Sequence, residues 1–273
     1  MIEQPPEQPG YSTVVKEKED PNRVPWTIQQ TFHGVLLTLI PWIGFNLLLL
    51  GAGDNQTLTR PLSFDADLGA AVLQIIFTAL VEGAFLIVPF YYANKTLLHQ
   101  ELRSRWRELL EILGLRRFNA IRTLPWIVGL LLFILAVNIL YSYAITTLHL
   151  HLTTNDQVVL QESKYAPISV YAILAGSVLI APFCEEVFFR GFVLTGLLRD
   201  LSPTWAILIS SLLFAVAHAD PGSFVPLFAI GLCLGFLRLR TGSTWAGISL
   251  HVLNNLLSSV LIILAMHNFN GPF

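Results

Sequence analysis

The stretch Ala181-Pro182-Phe183-Cys184-Glu185-Glu186-Val187-Phe188-Phe189-Arg190-Gly191 sets two adjacent carboxylates and an arginine inside an otherwise apolar run. An ionisable side chain at membrane depth costs on the order of 2.5–3.5 kcal/mol on insertion scales. A hydrophobic helix under no selection would not carry three of them so close together. The stretch therefore reads as a functional site built into a membrane-spanning helix.

The rest of the chain supports the membrane half of that reading. Of its 273 residues, 54% are hydrophobic and only 12% charged, against about 25% charged in soluble domains, and the mean hydropathy is +0.63. The expected fold is an all-α, polytopic membrane helical bundle. The net charge of −2 and the absence of a broad basic field argue against nucleic acid as a partner. Membrane lipids and a membrane-associated protein or peptide are the expected partners, and the oligomeric state is left open. Cys184 and Cys233 both fall in apolar runs, so no disulfide framework is expected.

Seven apolar spans can be drawn, each near the ~20 residues that cross a bilayer. They run from about Phe32 to Ala52, Leu68 to Tyr92, Leu124 to Leu148, Ile168 to Leu198, Pro203 to Ala219, Ser223 to Leu239 and Ser243 to Met266. Residues 1–30 are polar, Pro-rich and acidic and read as a disordered tail without a cleavable signal peptide. A membrane region with a basic loop (95–123) occupies 31–165, and a core domain occupies 166–273. Lys16, Lys18 and Arg23 of the tail, the seven basic residues from Lys95 to Arg122, Arg199, Arg238 and Arg240 fall on one side of the bilayer. By the positive-inside rule the N-terminus is then cytoplasmic and the C-terminus outside, with a cavity expected to open to the cytoplasm. Within the basic loop, Leu98, Leu102, Trp106, Leu109 and Leu113 share one helical face, the pattern of an amphipathic helix lying on the inner leaflet.

Few polar residues interrupt the spans. Glu186 and Arg190 stand at i, i+4 and can pair; Glu185 points about 100° away, free to face a cavity. His218 closes the fifth span. His251 and Asn255 share a face of the seventh, with Asn254 beside them. Counting ~1.5 Å per residue from the basic end of each span puts Glu185 roughly 21 Å deep, His218 roughly 22 Å, and His251 and Asn255 roughly 12 and 18 Å. Three separate helices thus bring polar groups to similar depth. A carboxylate beside an imidazole can take a proton from water, and a second imidazole with an amide can stabilise an oxyanion. Glu185, His218 and His251 can equally hold a divalent metal such as zinc, with metal-bound water as nucleophile; no His-Glu-x-x-His helix is present. Glu82 is a separate acid in the second span, able to line the same cavity or pair with Arg190. Cys184 has no group to orient it as a nucleophile.

Glu185-Glu186-x-x-x-Arg190, Phe214-x-x-x-His218 and His251-x-x-x-Asn255, in this order and in separate spans, resemble the three motifs of the type II CAAX prenyl endopeptidases. The bacterial branch of that family comprises the CPBP intramembrane proteases, with lysostaphin-resistance-type and abortive-infection relatives. The resemblance covers about Ile168 to Met266. It implies an intramembrane endopeptidase in which Glu185 and His218 activate water, His251 and Asn255 form an oxyanion hole, Glu186 and Arg190 hold the motif helix, and no metal is needed, although many family names include metalloprotease. A non-catalytic immunity or scaffold protein of the same fold is the alternative. A transporter using Glu82 and Glu185 as proton sites is disfavoured by the lack of an inverted repeat.

Overall fold

The computed structural model describes residues 24–53, 60–95, 97 and 102–269, and among them every regular element is helical. Helix α1 spans Ile28–Gly53, α2 Phe64–Ala84, α3 Ile87–Lys95, α4 Leu102–Ile112, α5 Ala120–Thr147, α6 Asn155–Glu162, α7 Pro167–Leu179, α8 Ala181–Glu186, α9 Leu194–Leu197, α10 Pro203–Ala217, α11 Phe224–Thr241 and α12 Thr244–Phe269. A π-helical turn, Val187–Val193, joins α8 to α9, and a short 3₁₀ turn, Pro221–Ser223, precedes α11.

Six of the seven expected spans are helices long and apolar enough to cross a membrane. The remaining one, the fifth, is α10 and has only 15 residues. It stops where the polar cavity begins, so its last carbonyls meet protein rather than lipid, the condition under which irregular backbone is tolerated at membrane depth. One of those carbonyls, of Ala217, accepts from Trp42 Nε1 at 2.5 Å. With its apolar spans, this is an integral membrane protein.

The bundle has two distinct ends. At one, α4 and the residues after it dock on the start of α12: Thr244 N donates to Gly114 O, Thr244 Oγ1 to Leu113 O and Ser243 Oγ to Arg116 O. This end carries the basic loop. At the other, Asp67 of α2 accepts from the backbone of Ile168 and Ser169 and from the Ser169 hydroxyl, satisfying orphan donors at the start of α7. Helix α6 lies at this second end, closed by a capping box between Thr154 and Gln157.

Residues 1–23 of the tail lie outside the described residues. The next stretch departs from the disorder expected to residue 30. Val24 and Trp26 are buried, Trp26 Nε1 donates to Phe192 O, and α1 begins at Ile28. An apolar Val-Pro-Trp segment within a polar tail has a core to enter, and it does so against the π-helical turn.

The core concentrates around that turn. Phe188, Phe189, Phe192 and Leu194 are at most 1% exposed, and Phe85, Phe188, Phe189 and Phe214 form a run of edge-to-face contacts with centroids 5.0–5.3 Å apart. Such pairs contribute about 0.5–1.5 kcal/mol beyond their buried area.

Candidate active site

The fourth span is broken at the site. Helix α7 ends at Leu179, Ile180 departs to φ −106°, and α8 restarts with Pro182 in its first turn. Proline lacks the N–H that would continue the ladder but fits a helix start. Just after the two glutamates the helix widens into π geometry, with Leu194 N bonding back to Phe189 O. Single π turns of this kind are frequent at functional sites. The freed carbonyl of Phe189 also accepts from Ser210 Oγ on α10 at 3.1 Å.

Glu186 and Arg190 form the ion pair that their spacing predicts. Arg190 NH1 donates to Glu186 Oε1 at 2.7 Å, both side chains being fully buried. The guanidinium also donates from NH2 to Gly231 O at 3.1 Å and lies 4.5 Å from the centre of the Phe214 ring. Three helices are thereby fixed to one planar cation, a use that suits arginine and not lysine. Gly231 also lets α11 pack closely on α10, since a Cβ there would meet the Cβ of Ser211 at 2.8 Å. Gly247 of α12 similarly leaves room for Glu186.

Glu185 faces the other way, into a cavity of about 600 Å³. Its Oε2 lies 3.9 Å from Nε2 of His218 and 3.9 Å from Nε2 of His251, and it has no hydrogen-bond partner among the described residues. His218 Nδ1 is 2.8 Å from Phe214 O. A carbonyl only accepts, so Nδ1 carries a proton, and in the neutral ring Nε2 then turns a lone pair towards Glu185. His251 sits between the glutamates, its Nδ1 being 3.6 Å from Glu186 Oε1. Phe214 packs against both imidazoles, with ring centroids 4.6 Å from His218 and 5.8 Å from His251.

The polar groups whose depths agreed in the sequence therefore meet. Asn255 lines the same cavity; one N–H of its amide donates to Ser177 O at 2.8 Å, and its Oδ1 accepts from Asn254, leaving the second N–H of Asn255 for a ligand. Glu82 also lines the cavity and does not pair with Arg190, whose carboxylate partner is Glu186. Cys184, next to Glu185 in the chain, is a free, buried thiol. As to a metal, no group of three or more His, Cys, Asp or Glu side chains among the described residues is arranged to hold an ion. The 3.9 Å separations are wider than the roughly 3.3 Å between two donors on one tetrahedral zinc with ligand bonds of about 2.0–2.1 Å. The donor set fits a shared metal poorly.

The opening of the cavity corrects one expectation. Its wall includes Asn155, Asp156 and Val159 of α6, Asp220 and Ser258, all at the end opposite the basic loop. Towards the basic end the path is filled by Phe188, Phe189, Phe192 and Leu194. The cavity does not open to the basic side. Counting depth from the basic ends located the polar layer but could not reveal which side of it was plugged.

Two supporting residues carried weak or no signal in the sequence. Trp42, which holds the end of α10 beneath His218, is one of several aromatics in an apolar span, and nothing in its spacing marks it. Gly247 had a readable signal: it stands one turn before His251 on the polar face of the helix.

Comparison with known proteins places this geometry in context. Residues 167–257 match the family described as type II CAAX prenyl endopeptidase, Rce1-like. The chain is similar to a Bacillus subtilis (strain 168) protein named "Putative membrane peptidase YdiL", 27% identical over 115 residues, covering 42% of this chain and 46% of the relative. It is also similar to an uncharacterized protein of Mycoplasma capricolum subsp. capricolum, 31% identical over 146 residues, covering 48% of this chain and 41% of the relative. The chain thus spans less than half the length of these two relatives. No solved structure matches it.

Proposed function

We propose that this chain, whose residues 167–257 match the Rce1-like family, is an intramembrane endopeptidase that hydrolyses a peptide bond in a membrane-associated protein or peptide. The observation that carries the reading is the approach of an unpartnered, 9%-exposed carboxylate, Glu185, to the lone pair of His218. Two acceptors that face one another across 3.9 Å suit a water molecule donating one proton to each.

In this mechanism the water oxygen attacks the scissile carbonyl carbon while its proton passes to Glu185. The oxyanion receives hydrogen bonds from Nε2–H of His251 and the second N–H of Asn255. Collapse of the tetrahedral adduct breaks the C–N bond, and the proton held by Glu185 leaves with the amine. Glu186 and Arg190 take no part in bond making; they fix the turn that aims Glu185. No step needs a metal.

By loop charge the basic end of the bundle is cytoplasmic, in a bacterial plasma membrane. The cavity then opens towards the opposite leaflet. The test is cleavage of a membrane-anchored reporter peptide by purified protein in proteoliposomes. Glu185→Ala and His218→Ala should abolish cleavage while leaving the folded protein intact, and treatment with a strong chelator should leave the wild-type rate unchanged. Full activity of either variant would contradict the reading. A rate lost to chelator and restored by zinc would replace it with a metal mechanism.

A further inference from the structure

The charge of the cavity is one-sided. Four carboxylate side chains, Glu82, Asp156, Glu185 and Asp220, line it, and among the described residues no lysine or arginine does. Asp156 and Asp220 have local partners: Asp220 accepts from the backbone of Asn155 and Ser223, and Asp156 from the hydroxyl of Ser258. These are neutral donors and leave the charges unmatched. The two deeper acids lack even that. Oε2 of Glu82 and Oε2 of Glu185 are both closed off from solvent without a hydrogen-bond partner, and the two carboxylates lie close enough to feel each other's charge. Glu186 makes the contrast, because its charge is matched by Arg190. A buried carboxylate without a cation or a donor is costly, and an apolar second span gains nothing from Glu82 as packing.

Glu185 has its use in the chemistry proposed above. Glu82 does not. It stands on α2, which packs against α7 and α8, and lines the same cavity as Glu185, His218 and His251. Beyond the cavity wall, residues 149–166 and 219–223 at this end add Glu162 and Lys164, and Arg60 lies at the same end. An approaching chain therefore meets carboxylates at the mouth and carboxyl oxygens without a partner at depth, an arrangement that favours a cation over an anion.

We infer that the cavity selects a peptide segment with a lysine or arginine beside the scissile bond, and that Glu82 is the residue that receives this cation. The inference rests on the peptidase reading for the words "scissile bond" but not for the binding itself. A free carboxylate next to the cleaved bond would find no cation here and two carboxyl side chains that repel it when ionised.

The experiment uses full-length protein in nanodiscs and two fluorescein-labelled apolar peptides, both N-acetylated and C-amidated, that differ only in one central Lys or Glu. Equilibrium binding is read by anisotropy, and turnover is read separately. The Lys peptide should bind wild-type protein about tenfold more tightly than the Glu peptide, a preference of about 1.4 kcal/mol. It should weaken with added salt, fall to less than about twofold in Glu82→Gln, and survive in Glu82→Asp. Equal binding of the two peptides by wild-type protein, which needs no variant to fold, would overturn the inference. So would a preference that Glu82→Gln leaves untouched. Selective binding without turnover would uphold the inference and contradict the peptidase reading; turnover of both peptides with no preference would do the reverse.

Discussion

Gly247 and Glu186 are packed so that a methyl group on the glycine would stand 2.5 Å from the carboxylate oxygen Oε2. The carboxylate cannot retreat, because its other oxygen is held by Arg190 at 2.7 Å. Gly247→Ala is therefore expected to push α12 outwards and carry His251 with it, at a cost of about 1–3 kcal/mol and with loss of most reporter cleavage. Gly129→Ala on α5 serves as the control: nothing lies within 4 Å of its Cβ position, so stability and activity should stay at wild-type levels. Thermal unfolding in detergent and the cleavage rate check both.

Breaking the buried pair is a different kind of damage. Glu186→Ala strands the Arg190 guanidinium without its carboxylate, which for a buried ion pair costs about 3–5 kcal/mol, and should yield little folded protein. Arg190→Lys keeps the charge but cannot reach Glu186 and Gly231 together or lie flat on Phe214. It is expected to fold poorly as well, seen as a lower unfolding midpoint and an early-eluting fraction in size-exclusion chromatography.

Trp42→Phe removes the hydrogen bond to Ala217 O while keeping an aromatic ring against Phe85. The stability loss should be modest, about 1 kcal/mol. The effect on catalysis should be larger than that, because the end of α10 that positions His218 is freed. A fall in kcat with little change in KM is the expected signature, measured on the reporter peptide.

Much of this site could be read from residue spacing. The i, i+4 pairing of Glu186 with Arg190, the divergence of Glu185, and the shared depth of His218 and His251 follow from helix geometry, since a helix fixes which residues share a face. The break at Ile180 falls beside Pro182, a helix breaker visible in the sequence, whereas the fifth span reads as a full crossing and α10 has only 15 residues. What could not be read depends on contacts between elements remote in the chain. Trp42 reaches Ala217 across 175 positions, and the burial of Trp26 depends on the π turn around Phe192. The direction in which the cavity opens depends on how four aromatic and aliphatic side chains fill space below the site. Helical periodicity says which face is polar, not which end of that face is plugged.

Asn255→Ala should separate oxyanion stabilisation from water activation. Its amide also donates to Ser177 O, so some loosening of α7 against α12 is expected, but the folded protein should persist. Loss of one oxyanion donor typically lowers kcat by about 10²–10³-fold. KM for the reporter peptide should change little, because the bond is made to the transition state. A variant that alters only KM would assign Asn255 to substrate binding instead.

The most direct measurement concerns Glu185 itself. Wild-type protein and Glu185→Gln are compared for hydrolysis of one reporter peptide in heavy-oxygen water, with the new carboxyl terminus read by mass spectrometry. Glutamine keeps the size of the side chain and can still hydrogen-bond, but it cannot accept the proton of the attacking water. The expected result is heavy oxygen in the new carboxylate formed by the wild-type protein, and a rate at least about 10²-fold lower for a variant that remains folded. Cleavage by Glu185→Gln at the wild-type rate would contradict a mechanism built on Glu185 and His218.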